Sequence, residues 1–139
     1  MSRVSAVKEW AGSWPGCKGL AKLNGSMTES GETTISATAA EGVTRRFLDG
    51  TCERYMVFSM GLVLPWSDGH DAINAEAAEL AEEWADWCAA QWPGNPPAIP
   101  GAQVTGIEAV TKSPAVEAVD EAGTVATYTF EVRIDYMEV

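Results

Sequence analysis

The only histidine, His70, stands between Asp68 and Asp71 in the string DGHD, the one place where an imidazole and carboxylates fall close together in sequence. A metal site needs three or four such donors, and no Cys or second His lies at ligand spacing. The same residues suit a turn that opens a helix, where carboxylates are favoured beside the unpaired N–H groups of the first turn. Glu82 and Glu83 do not form a convergent acid–base pair, because neighbouring helical residues point about 100° apart. No serine sits in a G-x-S-x-G elbow, and Asn24-Gly25-Ser26 and Gly61 lack the spacing of a phosphate-cradling loop. Cys17, Cys52 and Cys88 form neither a C-x-x-C pair nor an even disulfide framework, so they read as free, mostly buried thiols. These patterns predict no enzyme, no cofactor and no metal.

The remaining chemistry is that of contact surfaces. Arg45, Arg46, Arg54 and Arg133 all fall on predicted strands. They are either ordinary strand-face charges or partners for acidic residues of a neighbouring subunit. Trp66 and Trp92 bracket a long helix, as interface anchors or as core edges. The chain of 139 residues carries a net charge of −11, placed unevenly. Residues 1–54 hold seven Lys/Arg against six Asp/Glu, whereas residues 55–139 hold two against fourteen. That acidity repels phosphate backbones and disfavours ordinary nucleic-acid binding, while serving solubility.

The elements that must carry these residues are legible from periodicity. Thr124 to Met137 alternates strictly, with Ala126, Tyr128, Phe130, Val132, Ile134 and Tyr136 on one face, the pattern of a long half-buried strand. Thr51 to Leu64 is a second long strand, with a bulge expected at Gly61. Asp49-Gly50 predicts a hairpin turn joining it to a strand over Val43 to Leu48. Glu32 to Ala39 is a weak strand, and Leu20 to Leu23 a short one before an Asn24-Gly25 turn. Ser26 to Gly31 reads as a loop, Gln103 to Thr111 as a further strand and Ser113 to Gly123 as a turn back.

Arg3 to Ala11 predicts a short helix ended by SWPG. From Asp71 to Gln91, Ile73, Ala77, Leu80, Trp84 and Trp87 recur at helical spacing, and Glu76, Glu79, Glu82, Glu83 and Asp86 cover the other faces. Four prolines between Pro93 and Pro100 make a stiff crossing. The expected architecture is one α+β domain over residues 1–139. It consists of an antiparallel-rich sheet of four to five strands, with the long helix and the short N-terminal helix on one face. No stretch approaches the ~20 apolar residues of a membrane span, and MSRVSAVKEW lacks a signal-peptide core, so a cytoplasmic start is expected.

With those elements in order, the chain from about Val43 to Val139 resembles the small tail terminator (minor capsid, tail completion) proteins of siphophages and prophages of Gram-positive hosts. The resemblance rests on RRFLDGTCERYMVFSM at 45–60, the helix segment EEWADW at 82–87, the proline-bearing crossing, IEAVTKSP at 107–114 and YTFEVRIDYMEV at 128–139. The N-terminal third is similar only in element order, and the helix is richer in Ala and Glu than is usual in the family. The resemblance implies a homo-hexameric ring at the head–tail junction of a virion, assembled in the host cytoplasm. Such a ring stops growth of the tail-tube protein, docks a head-neck connector and lets DNA pass its lumen without specific binding. The alternatives are another neck or tail component, such as a head-closure or tail-tube protein, and a monomeric acidic binding or inhibitor module.

Overall fold

The computed structural model describes residues 2–16, 21–23, 33–67, 69, 71–110, 115–119 and 123–138. Two helices and six strands follow one another as α1 (Arg3–Gly12), β1 (Ala21–Leu23), β2 (Thr33–Arg46), β3 (Cys52–Pro65), α2 (Asp71–Ala90), β4 (Ala102–Ala109), β5 (Ala115–Val119) and β6 (Val125–Glu138). The sheet order is β1-β2-β3-β6-β4, with β5 also pairing β6. All pairs are antiparallel except β1 with β2. The class is α+β.

The alternation of β6 settles the middle of the sheet. Its register against β3 runs without interruption from Val125 opposite Pro65 to Met137 opposite Glu53. Met56, Phe58, Met60, Leu62 and Leu64 of β3 therefore share a face with Ala126 through Tyr136 of β6. These residues form a single buried cluster with Val7, Trp10 and Ala11 of α1, Trp14 just beyond it, and Ala77, Ala81, Trp84, Ala85 and Cys88 of α2. Trp84 is the keystone. It stacks on Trp14 at 5.6 Å between ring centres and meets the edge of Phe130 at 5.2 Å. Burying an indole of roughly 150–250 Å² stabilises by ~4–6 kcal/mol as an upper bound.

Several expectations need correction. The weak strand over Glu32 to Ala39 and the strand over Val43 to Leu48 are one strand, β2, which crosses the expected break through register shifts at Ala37/Glu41 and Val43/Arg45. The bulges lie there and not at Gly61, which pairs in regular register with Thr34 and Thr129. Pairing ends at Arg46, so Phe47 and Leu48 belong to the turn. The segment read as a turn contains β5, which continues the edge begun by β4 along the same side of β6 and brings the strands to six. The uneven parity of Val104 and Ile107 has a cause: a bulge at Thr105 lets both pack against the core.

The long helix is rotated from its expected face. Ala77, Ala81, Trp84, Ala85 and Cys88 are the buried stripe, Leu80 and Trp87 are half-buried, and Ile73 is 39% exposed. Small alanines let the helix axis approach the sheet and leave room for Trp84 between Trp14 and Phe130. An Ile73–Leu80 stripe would hold the helix further out. At the helix start, the Asn74 side chain accepts from the Ser67 N–H and donates to the Ser67 carbonyl, both at 3.0 Å. At the other end, the Trp10 indole N–H donates to the Asn95 carbonyl at 2.8 Å, tying α1 to the crossing after α2. The Asn24-Gly25 turn, the loop over Ser26 to Gly31, and Cys17, Asp68 and His70 lie outside the described residues. Among the described residues, no helix is long and apolar enough to cross a membrane.

Candidate interaction surfaces

The four arginines singled out from the sequence do not converge; they fall into three environments. Arg45 and Arg46 are exposed at the end of β2, and no carboxylate among the described residues pairs with either. Arg46 Nη1 reaches the Cys52 sulfur at 3.9 Å. Arg54 lies at the same end of the sheet, on the face that carries Tyr136. Its Nε is 3.0 Å from Glu138 Oε1 without hydrogen-bond geometry, so charge alone holds the pair. Glu138 also reaches Arg3 at 3.5 Å. Arg3, Arg54, Tyr55 and Tyr136 thus line a recess of about 200 Å³ beside a carboxylate from the same chain.

Arg133 sits on the opposite face. Its guanidinium donates to Asp135 Oδ1 at 3.0 and 3.2 Å and lies 4.3 Å from the centre of the Tyr55 ring. The Asp135 hydrogen bond raises the Arg133 pKa further above its ordinary value. Arg133 is therefore occupied within its own chain. The two tryptophans also part company. Trp66 packs on the core edge, with its backbone N–H donating to the Thr124 carbonyl at 2.9 Å, whereas Trp92 is 43% exposed.

What the residue-by-residue reading missed is the apolar half of the β2–β3 tip. The Phe47 N–H bonds the Thr51 carbonyl at 3.0 Å, and Gly50, at φ +91°, completes a turn that few other residues accept. Asp49 Oδ1 accepts from the Thr51 N–H at 3.0 Å and its hydroxyl at 2.7 Å, which holds the carboxyl below its ordinary pKa. This small, ordered turn projects Phe47, exposed, and Leu48, fully exposed, beside Arg45 and Arg46. A signal was present in the sequence: two apolar residues stand directly before Asp-Gly, where a turn leaves no sheet to cover them.

Two further surfaces are exposed elsewhere on the chain. Glu76, Glu79, Glu82, Glu83 and Asp86 are exposed on α2, and no cation among the described residues pairs with them. Between α1 and the crossing lies a groove of about 430 Å³, lined by Ala6, Glu9, Trp10, Ser13, Pro96 and Pro97 among others. Among the described residues, no group of three His, Cys, Asp or Glu side chains is placed to hold a metal. Burial pushes the Cys88 thiol well above its ordinary pKa, leaving it protonated and unreactive.

No protein-family model matches the chain, and no curated protein matches it.

Proposed function

We propose that this chain is a structural assembly protein of a siphophage virion. It forms a ring on the head-proximal end of the tail tube, stops tube growth and offers the surface on which the head's neck proteins dock. The observation that carries the reading is the self-complementarity of one chain. It displays a projecting tip where Leu48 and part of Phe47 are exposed beside two arginines, and elsewhere a helix with exposed carboxylates, and neither set of charges has a partner among the described residues. Unlike patches that fit each other generate head-to-tail contacts, and such contacts form rings when the rotation from copy to copy closes. The similarity of residues 45–60, 82–87 and 128–139 to tail terminators supplies the tube as the object such a ring would cap.

The overall charge fits the lumen of such a ring. With twenty Asp/Glu against nine Lys/Arg per chain, DNA passes a surface that repels its phosphates. The direct test adds purified protein to polymerising tail-tube subunits and measures tube length by electron microscopy. The reading expects tubes that stop growing and carry extra density at one end, with native mass spectrometry giving six times the 14.8 kDa chain. Tubes that lengthen unchecked would count against it. Tight binding of duplex DNA at low salt would remove the lumen argument. A chain that stays monomeric and competes with DNA for a DNA-binding protein would favour the acidic inhibitor module instead.

A further inference from the structure

The tip and the groove are two unexplained surfaces, and each has what the other lacks. Leu48 is fully exposed and Phe47 keeps 37% of its surface exposed, because strand pairing stops at Arg46 and resumes at Cys52. The groove between α1 and the crossing offers an indole, two prolines and alanine, with Glu9 exposed at its rim. Its volume of about 430 Å³ lies in the range of pockets that take sizeable apolar groups, roughly 300–1,000 Å³. Its floor is held in place. Trp10 is hydrogen-bonded to Asn95 at 2.8 Å and packs on Trp87 at 5.5 Å between ring centres. The second contact sets α1 beside the part of α2 that carries Glu83 and Asp86.

We infer that the β2–β3 tip of one copy seats in the α1–crossing groove of a second copy. Phe47 and Leu48 enter the groove, while Arg45 and Arg46 meet Glu9 and the acidic side of α2. The inference rests on the self-assembly reading above and adds to it which parts touch. Charge complementarity selects a second copy as the occupant: the arginines and the carboxylates both lack partners among the described residues of their own chain. Preorganisation favours the same contact, since the Asp49–Thr51 hydrogen bonds already fix the turn and little order remains to be imposed on binding. Tip and groove are different patches, so repeated docking is head-to-tail.

The test compares the full-length chain with Leu48→Asp and Ala98→Trp by native mass spectrometry and sedimentation across a concentration range, alone and with tail tubes. Leu48 is at the tip and Ala98 lines the groove; both are exposed, so neither change disturbs the core. Each should weaken association on the order of 30-fold or more, as loss of a central anchor does, with the melting temperature unchanged. Arg45→Glu with Arg46→Glu should also weaken it, and adding Glu9→Arg in the same chain should restore part of the loss. Rings that form with wild-type affinity in both Leu48→Asp and Ala98→Trp would overturn this contact and leave the ring reading standing. A wild-type chain that neither self-associates nor binds tube ends would overturn both. A two-copy species sensitive to both variants would support the contact, exchanged reciprocally, while counting against a ring.

Discussion

Trp84 and Leu48 are both large apolar residues close to a long strand, and the chain treats them oppositely. Trp84 has no solvent exposure, enclosed by Trp14 and Phe130, whereas Leu48 is fully exposed at the end of a hairpin with Phe47 37% exposed beside it. The arginines divide in the same way. Arg133 is bonded to Asp135 and covered by Tyr55, while Arg45 and Arg46 face solvent without a carboxylate among the described residues. Burial and pairing in the helix–sheet core account for the fold. The exposed apolar area and unpaired charge outside that core add little to folding, and they are the surfaces on which the proposed contacts between copies draw.

That contrast can be broken from the core side first. Trp84→Ala empties the site between Trp14 and Phe130 and should cost about 3–5 kcal/mol, read as a large fall in denaturant midpoint. Ala81→Leu pushes α2 away from the sheet and should cost about 1–3 kcal/mol, less because the helix can shift. At the tip, Gly50→Ala meets no neighbour within 4 Å, so only the φ of +91° opposes it, and ~1 kcal/mol is expected. Leu48→Asp should leave thermal stability within about 0.5 kcal/mol, because nothing in the fold depends on it. A larger loss would mean that the tip packs within its own chain.

The smallest effect is on Asp49. Its folded pKa lies below the ordinary 3.8, so its contribution to the turn is complete above that value and is lost as pH falls through the lower, folded one. An NMR titration that finds Asp49 at its ordinary pKa would show the Thr51 hydrogen bonds to be absent in solution.

Which positions became strands and helices was legible because local pattern dictates it. The alternation from Ala126 to Tyr136 allows no periodicity but two, Asp49-Gly50 between extended runs makes a turn, and prolines stop α2. Where local signals were mixed, the reading failed. Residues 113–123 show no clean alternation, because the bulge between Val116 and Ala118 offsets the side-chain pattern, and β5 exists only because the free edge of β6 offers it partners. The Glu32–Ala39 run looked weak alone, yet pairing with β3 carries it into one strand with the residues beyond Gly42. The helix face was misjudged for a related reason. Hydrophobicity ranks Ile73 and Leu80 above alanine, but close packing on a sheet rewards the smaller residue.

The surfaces divide along the same line. The sequence alone establishes an acidic chain with seven of its nine Lys/Arg within residues 1–54, since charge depends on residue type and not on position in space. That Arg54 and Arg133 meet carboxylates of their own chain was decided by the β3–β6 register, while Arg45 and Arg46, at the end of β2, have no carboxylate partner among the described residues. The register puts Arg54 on the face of Tyr136 and Arg133 on the face of Tyr55. Leu48 is bare because strand pairing stops two residues earlier; Asp49-Gly50 marks the turn in the sequence, but only the pairing shows at which residue the strand ends. Periodicity is a property of neighbours along the chain; exposure and pairing are properties of neighbours in space, which only the folded sheet brings together.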